Sequence, residues 1–328
     1  MKAAIITRYG SPDVIAVRDA PKPKPARDQL LIRVHATAVG RTDCGLLRGR
    51  PFFMRVFTGL FRPRRSIFGI EFAGEVEAVG RAITSFKPGD RVFGLCPSRS
   101  NGAQAEYVCV PLRTVAAMPA GVPFDEAVVL EGAFYANTVL KRIGLKPGHT
   151  ILIYGASGAI GTAMVQLAKV AGAAVTAVVA TRHLALAKSL GADRVIDYTA
   201  EDFTRIAETF DFVVDAVGKT TYFRCRKLLK PDGIFAATDM GPGAQTLLLA
   251  LWSAITRSNR IIIPVPGRID GFVDFLKGLM EAGRFRAVID RRYPLAAIAD
   301  AYRFVETEQK VGIVVIDVMP VADSEQGA

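Results

Sequence analysis

A glycine-rich turn between an apolar strand and a helix constrains the fold of this chain more than any other feature. Residues 150–154 (TILIY) have the composition of a buried strand, and residues 159–169 have a helical pattern. Between them, Gly155 and Gly158 begin a G-x-x-G-x-x-G spacing that ends at Gly161. A tight turn and a close approach of the backbone to a phosphate both require residues without a Cβ atom, and the helix N-terminus offers free N–H groups. The turn therefore predicts a dinucleotide-binding βαβ unit.

This unit opens a longer series in which short apolar runs alternate with helical patterns. The runs are continuously apolar, which is typical of strands that are covered on both faces of a parallel sheet. Their alternation with helices predicts a doubly wound α/β domain of the Rossmann type over residues 122–266. The predicted strands are residues 150–154, 173–180, 194–198, 210–218, 233–238 and 260–265, with helices in the intervals, including one at 201–210.

The chain on either side of this α/β segment has a different texture. Residues 1–121 are strand-like, with β-branched or alternating runs separated by Gly and Pro turns. Residues 267–328 supply a helix and a last strand, VGIVVIDV. Because the α/β segment lies in the middle of the chain, we expect the tail to return to the first domain. The sequence thus predicts a β-rich domain from 1–121 and 267–328, with the α/β domain of 122–266 inserted.

Cysteine usage and apolar content predict a cytoplasmic protein. The four cysteines (Cys44, Cys96, Cys109 and Cys225) are far apart and form no Cys-x-x-Cys pair, which favours a reduced compartment. The first twelve residues lack the apolar core of a signal peptide. The longest apolar stretch, residues 246–256, is shorter than the roughly 18 residues that a membrane span requires.

The net charge of +11 is concentrated partly in residues 48–66, where six arginines and four phenylalanines occur without an acidic residue. Such a charge can attract nucleic acid, an anionic membrane or an anionic ligand. A solvated loop whose aromatic side chains pack inward is the ordinary interpretation, and a weak peripheral contact with an anionic membrane is the alternative. No nucleic-acid-binding motif occurs elsewhere, so no nucleic-acid partner is expected.

The second strand of the α/β segment ends in cations where a helix dipole favours negative charge. Residues 173–180 lead into Thr181, Arg182 and His183, and a helical pattern follows at once. A cation at a helix N-terminus is unfavourable by about 0.3–1 kcal/mol. An Asp or Glu at this strand end would bind the adenosine ribose of NAD, and the strand carries neither. A 2′-phosphate would satisfy Arg182 and the dipole together, which favours NADPH over NADH; a solvated first-turn arginine is the alternative.

Several long motifs in order resemble the medium-chain dehydrogenase/reductase superfamily, and within it the zinc-free, quinone-oxidoreductase-like branch. They cover nearly the whole chain: residues 69–80, 86–94, 144–169, 189–198, 228–233 and 289–295. The resemblance implies a GroES-like, β-rich catalytic domain that is built from both chain ends, plus an inserted Rossmann domain. This agrees with the change of texture along the chain.

The metal ligands of the zinc branch are missing from the matching positions. Where zinc alcohol dehydrogenases carry Gly-His-Glu, this chain has Ile70 in place of the histidine. The segment that would supply a cysteine ligand begins at Gly40. The three histidines, His35, His149 and His183, are too scattered to replace these ligands together. We therefore expect no metal site and no catalytic zinc.

The resemblance also implies residues that contact the cofactor, each at a position where this chain matches the family motif. The pyrophosphate loop comprises Gly155, Ser157, Gly158, Ala159 and Ile160, and the 2′-phosphate position comprises Thr181, Arg182 and His183. Tyr198 would lie along the adenosine phosphate, and Ala216 and Val217 would lie beside the ribose. The nicotinamide side is matched by Val265, Pro266 and Ile313, where Ile313 replaces a polar residue.

Without a metal Lewis acid, the substrates that accept hydride readily are quinones and α,β-unsaturated carbonyl compounds. The resemblance therefore implies NADPH-dependent reduction of a small molecule of this kind. Relatives often carry an Asn and a Tyr near the site, but this chain has Gly40 and Gly45 there. The candidate proton donors nearby are Thr42, Asp43 and Tyr135, with Arg41 as a further polar neighbour.

Two other functions stay open at this point. One is NAD(P)-dependent interconversion of alcohols and aldehydes. The other is a non-catalytic NADPH-binding protein with a role at a membrane surface through residues 48–66. The family often forms homodimers by pairing the last Rossmann strand across a two-fold axis, and residues 260–266 are apolar enough for this, so we predict a homodimer.

Overall fold

The computed structural model describes residues 1–52, 55–97, 101–241, 244–256, 260–265, 267 and 269–319. The chain divides into two compact units, which are treated separately below. Unit 1 comprises Met1–Glu131 and Ile269–Ala328, and unit 2 comprises Gly132–Arg268. The first division lies inside a helix, Leu130–Arg142, rather than at residue 122, because the short helix Phe124–Ala127 still packs on strands of unit 1.

The strands within the described residues are β1 Lys2–Ile6, β2 Ile15–Asp19, β3 Gln29–Val39, β4 Glu71–Val79, β5 Arg91–Leu95, β6 Tyr107–Pro111, β7 Val115–Ala117, β8 Thr150–Tyr154, β9 Ala174–Val179, β10 Arg194–Asp197, β11 Phe210–Asp215, β12 Leu229–Ala237, β13 Ile261–Ile262, β14 Ile289–Pro294 and β15 Ile313–Asp317. The α-helices there are α1 Arg41–Arg48, α2 Arg55–Thr58, α3 Phe124–Ala127, α4 Leu130–Arg142, α5 Ala159–Val170, α6 Leu184–Ser189, α7 Tyr222–Cys225, α8 Gln245–Ile255, α9 Phe272–Glu281 and α10 Ile298–Glu306.

Unit 2 is built on a parallel sheet. Its strand order among the described residues is β10-β9-β8-β11-β12-β13, with each neighbouring pair parallel. The central strand β8 is apolar at successive positions and buries Ile151, Leu152 and Ile153 completely, as a strand covered on both faces must. The predicted doubly wound parallel sheet is confirmed.

Two predicted elements of unit 2 were wrong. The helix expected at residues 201–210 is only a 3-10 turn, Phe203–Arg205, because the Asp202 side chain caps it and Phe203 is drawn into the core. The strand expected at 260–265 is reduced to the two residues of β13, which pair with β12. Pro264 follows closely, and a proline has no N–H to continue a ladder.

Unit 1 is built around an antiparallel sheet. Its order among the described residues is β14-β15-β3-β4-β5-β7, with β6 also paired to β3, while β1 and β2 form a separate pair. The last strand, β15, pairs with β3, so the tail does return to the first domain. Helix α10 closes the core with Tyr302, which is completely buried.

Helices also occur in the region that the sequence indicated as strand-like. Helix α1 follows β3 directly, and the N–H of its N-cap residue, Gly40, donates to the Asp43 carboxylate at 3.0 Å. Its apolar face buries Cys44 and Leu47 in the core of unit 1. In the described part of the chain, every helix is too short or too polar to cross a membrane.

Candidate active site

The glycine turn stands at the carboxyl end of β8, at the centre of the unit 2 sheet. Gly155 has a φ of 80°, a left-handed value that favours glycine, and its N–H donates to the carbonyl of Val178 at 3.2 Å. Gly158 caps α5, and a Cβ there would meet nothing closer than 3.7 Å. A Cβ on Gly161 would overlap the carbonyl of Gly155. The glycines therefore keep the turn tight and leave the start of α5 open on one side.

The turn after β11 supports this loop. Val217 lies so close to Gly155 that a Cβ on the glycine would come within 2.5 Å of Val217 Cγ1. The Asp215 carboxylate holds the turn by accepting the N–H groups of Val217, Gly218 and Thr220 at 3.0, 2.8 and 2.8 Å. Asp215 is 1% exposed, and burial raises its pKa. Asp215 was not among the predicted site residues, although its position at the end of an apolar strand could have indicated it.

The three residues of the predicted 2′-phosphate position form one 3-10 turn at the end of β9. Arg182 Nε donates to His183 Nε2 at 3.0 Å, and the Thr181 hydroxyl donates to Asp197 Oδ2 at 2.6 Å. Hydrogen bonds from Thr181 and Thr199 lower the pKa of Asp197. An ionised carboxylate therefore lies beside the 3-10 turn that contains Arg182. The sequence showed no acid at the end of β9, but the neighbouring strand β10 supplies one.

Tyr198 directly follows β10 and is 46% exposed. Its ring packs edge-on against Tyr154 at a centroid distance of 6.0 Å, and Tyr154 in turn stacks on Phe203. The phenol ring therefore stands at the same carboxyl edge of the sheet as the glycine turn. Its predicted place along the adenosine phosphate is consistent with this position.

The other predicted residues are less closely grouped. Val265 lies beyond β13 and is 79% exposed, while Pro266 is outside the described residues. Ile313 is buried at the start of β15 in unit 1, and Tyr135 lies on α4 within unit 2. Their contacts with nicotinamide or substrate stay predictions.

The carboxyl edge of the unit 2 sheet fits a dinucleotide. The open start of α5 presents N–H groups that have no partner inside the helix, next to glycines that allow a close approach. Ser157, Ala159 and Ile160 are half-buried around this opening, and Ala216 follows β11 beside it. These residues would hold the pyrophosphate and ribose, and Arg182 would stand near a 2′-phosphate.

In unit 1, the N-terminus of α1 carries two of the candidate proton donors. Asp43 is 1% exposed, and its two oxygens accept the N–H groups of Gly40 and Gly69 at 3.0 and 3.2 Å. Burial and the charge of Glu131 raise the pKa of Asp43 to about 7. Thr42 is half-buried, and its hydroxyl hydrogen-bonds to the Glu131 carboxylate. Asp43 thus has the contacts of a structural group, whereas Thr42 is accessible.

Glu131 and Glu71 were missing from the predicted site. The Glu131 N–H donates to Glu71 Oε2 at 2.8 Å, and Glu71 is 2% exposed. Burial and the charge of Glu131 raise the pKa of Glu71 to about 8. Burial also raises the pKa of Glu131, although the Thr42 hydroxyl and the Lys310 ammonium oppose that shift. The site therefore holds several carboxyl groups that keep protons more strongly than in water.

The positions of the missing zinc ligands are occupied in a different way. A side chain at Gly40 would overlap Glu131 Oε2, so the carboxylate fills the space that a ligand side chain would take. Within the described residues, no group of three or more His, Cys, Asp or Glu side chains is arranged to hold a metal ion.

The fold and site together define a dinucleotide-binding oxidoreductase. Residues 26–120 match the family described as alcohol dehydrogenase GroES-like domain, and residues 190–316 match the family described as zinc-binding dehydrogenase. The second match contains neither Gly40 nor Ile70. The chain belongs to the medium-chain dehydrogenase/reductase superfamily, in its quinone-oxidoreductase-like branch, which confirms the family predicted from the motifs.

Known proteins resemble the chain over nearly its whole length. It is 32% identical to the 2-methylene-furan-3-one reductase of Solanum lycopersicum, over 98% of this chain and 80% of the relative. It is 31% identical to the chloroplastic NADPH-dependent alkenal/one oxidoreductase of Arabidopsis thaliana, over the same shares. The solved quinone oxidoreductase from Coxiella burnetii has a TM-score of 0.85 and 27% identity, covering 97% of this chain and 99% of that one.

Proposed function

We propose that this protein is a zinc-independent, NADPH-dependent reductase of quinones and α,β-unsaturated carbonyl compounds. The observation that carries the proposal is the open, glycine-lined start of α5 in a chain whose zinc-ligand positions hold Gly40 and Ile70. The names of the similar proteins, which include an alkenal/one oxidoreductase and a quinone oxidoreductase, support this choice of substrates.

In this function the protein positions the cofactor and manages protons. When bound, the nicotinamide cofactor supplies a hydride to the substrate. The glycine turn and the start of α5 hold the pyrophosphate, and Asp215 fixes Val217 against Gly155. An enolate left by hydride transfer to an enone needs a proton donor with a partly accessible hydroxyl or carboxyl, and the half-buried Thr42 meets that description.

The preference for NADPH rests on Arg182. Its guanidinium stands at the end of β9, where a 2′-phosphate would bind, and a paired phosphate would form charge-assisted hydrogen bonds. The Asp197 carboxylate beside Thr181 opposes this attraction. We therefore infer a preference for NADPH that is limited by Asp197 rather than absolute.

The first experiment follows the absorbance of the cofactor at 340 nm with EDTA-treated protein. NADPH and NADH are each combined with a panel of quinones, enones and aldehydes. Turnover of NADPH with quinones or enones, unaffected by EDTA, is the expected result. Turnover of aldehydes or alcohols alone would favour the dehydrogenase alternative. Tight NADPH binding without turnover of any acceptor would favour the non-catalytic alternative.

We also propose a weak peripheral contact with anionic membranes through residues 48–66. Phe52, Phe57 and Phe61 are 68%, 69% and 88% exposed, contrary to the inward packing of the ordinary interpretation. Exposed arginines, Arg62 and Arg64, lie in the same segment. Aromatic side chains that insert beside cations are typical of interfacial binding.

The protein should co-sediment with vesicles that contain phosphatidylglycerol but not with vesicles of pure phosphatidylcholine, and an R62E/R64E variant should lose this binding. Equal binding of that variant would contradict the proposal.

We propose that the predicted homodimer forms through the β13 edge of the unit 2 sheet. Helix α8 lies beside β13, where the Ser253 hydroxyl accepts the N–H of Ile261 at 3.2 Å. Its side chains Leu248, Trp252 and Ile255 are 66%, 60% and 80% exposed. A second copy of the chain would bury this apolar surface. Because the chain has one tryptophan, dilution should shift its fluorescence as a dimer dissociates. A monomeric mass by light scattering at all concentrations would exclude the dimer.

A cytoplasmic location stays a prediction from the sequence.

A further inference from the structure

The Glu131 carboxylate reaches the start of α1 because position 40 has no side chain. A Cβ on Gly40 would overlap Glu131 Oε2, and the Thr42 hydroxyl, on the first turn of the same helix, is hydrogen-bonded to that carboxylate. Thr42 and Glu131 are half-buried residues, whereas Asp43 and Glu71 are 1% and 2% exposed. The pair therefore joins an accessible hydroxyl to a more enclosed acid.

We propose that Thr42 protonates the substrate after hydride transfer to an enone, and that Glu131 is the positioning residue that returns the proton to Thr42. This inference rests on the proposed reductase function. When Glu131 is ionised, Thr42 donates to it. When Glu131 is protonated, the carboxyl can donate to the Thr42 oxygen instead, which releases the hydroxyl proton toward a substrate. The same contact thus works in both protonation states.

The charges around Glu131 suit a reversible proton carrier. Burial favours the protonated form of Glu131, and its acidic neighbours are Asp43 and Glu71, whose own pKa values the charge of Glu131 raises. Lys310, whose Nζ donates to the Gly312 carbonyl at 2.6 Å, favours the ionised form. Tyr302 also faces this group from α10, with its hydroxyl donating to Gln104 at 2.9 Å. Opposed influences keep both states of an acid accessible.

The reaction balances with the reductant of the proposed function. Hydride from NADPH forms a C–H bond at the β-carbon of the enone, and the C=C electron pair becomes an enolate. The Thr42 O–H bond breaks as its proton forms the new C–H bond at the α-carbon. The Glu131 O–H proton moves to the Thr42 oxygen, and a proton taken up from solvent reprotonates Glu131. The net reaction is enone plus NADPH plus one proton to saturated ketone plus NADP⁺.

Quinones provide an internal comparison. Hydride transfer to a quinone leaves an oxyanion that water protonates directly, whereas an enolate must be protonated on carbon. A Glu131→Gln variant, which keeps the size and the hydrogen bond of the side chain, should lose about 10²-fold in enone turnover and little in quinone turnover. Thr42→Val should behave in the same way, and Thr42→Ser should restore enone reduction.

Two further measurements separate proton transfer from a structural effect. With an α-methyl enone, the native protein should give one enantiomer, and Glu131→Gln should give a more racemic product because water then delivers the proton. Enone turnover by the native protein should fall as the pH rises through the pKa of Glu131, and the variant should lack this limb. In the cofactor-free protein, infrared titration should show a protonated carboxyl band that Glu131→Gln removes.

The outcomes separate the reductase function from the role of Glu131. If the native protein reduces neither quinones nor enones, the proposed function is wrong. If the native protein reduces enones, but Glu131→Gln keeps the turnover ratio of enone to quinone, the product enantiomer and the pH limb, the role of Glu131 is overturned while the reductase function stands.

Discussion

The backbone N–H of Glu131 donates a 2.8 Å hydrogen bond to the carboxylate of Glu71, so a buried acid fixes the start of the helix that carries Glu131. The two residues are 60 positions apart in the sequence. Their contact holds Glu131 near the N-terminus of α1, where Gly40 is the N-cap residue. The position of Glu131, and with it the pair of Glu131 and Thr42, therefore depends on a buried carboxyl from a distant part of the sequence.

Replacing Glu71 with Gln should make the protein more stable in alkaline solution. Burial and the charge of Glu131 raise the pKa of Glu71 from 4.5 to about 8, so the folded state holds a proton that the unfolded chain releases. The stability that this proton contributes is full below about pH 4.5 and is lost as the pH rises through about 8. At pH 9 the Gln variant should exceed the native protein by at least about 1 kcal/mol in the free energy of unfolding.

Denaturant unfolding at pH 6 and pH 9 measures this difference. A shallow pH slope should remain in the variant, because burial and Glu131 also raise the pKa of Asp43, to about 7. Glu201→Gln, which changes an exposed carboxyl of unit 2, is the control and should leave the slope unchanged. Equal destabilisation of Glu71→Gln at both pH values would argue against a buried, protonated Glu71.

Gly40→Ala should displace the Glu131 carboxylate. The φ of Gly40 is −105°, which alanine adopts readily, so the expected effect comes from overlap of the new Cβ with Glu131 Oε2. Enone turnover should fall toward that of Glu131→Gln, with quinone turnover less affected. Gly278→Ala is the matched control, because a Cβ at that position on α9 meets nothing within 4 Å. It should stabilise the helix by about 0.5–1 kcal/mol without changing turnover.

Arg182 and Asp197 should shift cofactor preference in opposite directions. Arg182→Ala should weaken NADPH binding about tenfold or more while leaving NADH binding nearly unchanged, because only NADPH carries the 2′-phosphate. Asp197→Asn should strengthen NADPH binding, since an ionised carboxylate beside Thr181 is removed. Calorimetric titration with both cofactors measures this, with Arg205→Ala as the control. A parallel loss of NADH and NADPH affinity in Arg182→Ala would contradict the phosphate role.

Asp215→Asn should weaken the binding of both cofactors equally. The carboxylate accepts three backbone N–H groups, and an amide has a single oxygen to replace them. Loss of one buried hydrogen bond costs about 1–3 kcal/mol and should loosen Val217 against Gly155. Lower thermal stability together with a rise in both dissociation constants is expected. Unchanged affinity in a destabilised protein would restrict Asp215 to a purely structural role.

The parts of the site that the sequence predicted are those with a local cause. Gly155 and Gly158 predicted the glycine turn because a strand and a helix flank them within a few residues. The continuous apolar runs likewise predicted the parallel sheet, since burial on both faces excludes polar positions. Two predictions were wrong: the helix at 201–210 and the full strand at 260–265. In the first segment the Asp202 side chain caps a short 3-10 turn, and in the second Pro264 follows the two-residue strand.

By itself, the sequence determined the parallel α/β sheet of unit 2, the glycine turn, the family, and the loss of the zinc ligands at Gly40 and Ile70. Only the tertiary structure placed Asp197 beside Thr181, because two neighbouring parallel strands bring their carboxyl ends together. It alone placed Glu131 beside Gly40 as well. The physical reason is that local patterns record which face of a segment is buried, whereas the partners of a buried charge are chosen by packing between distant segments.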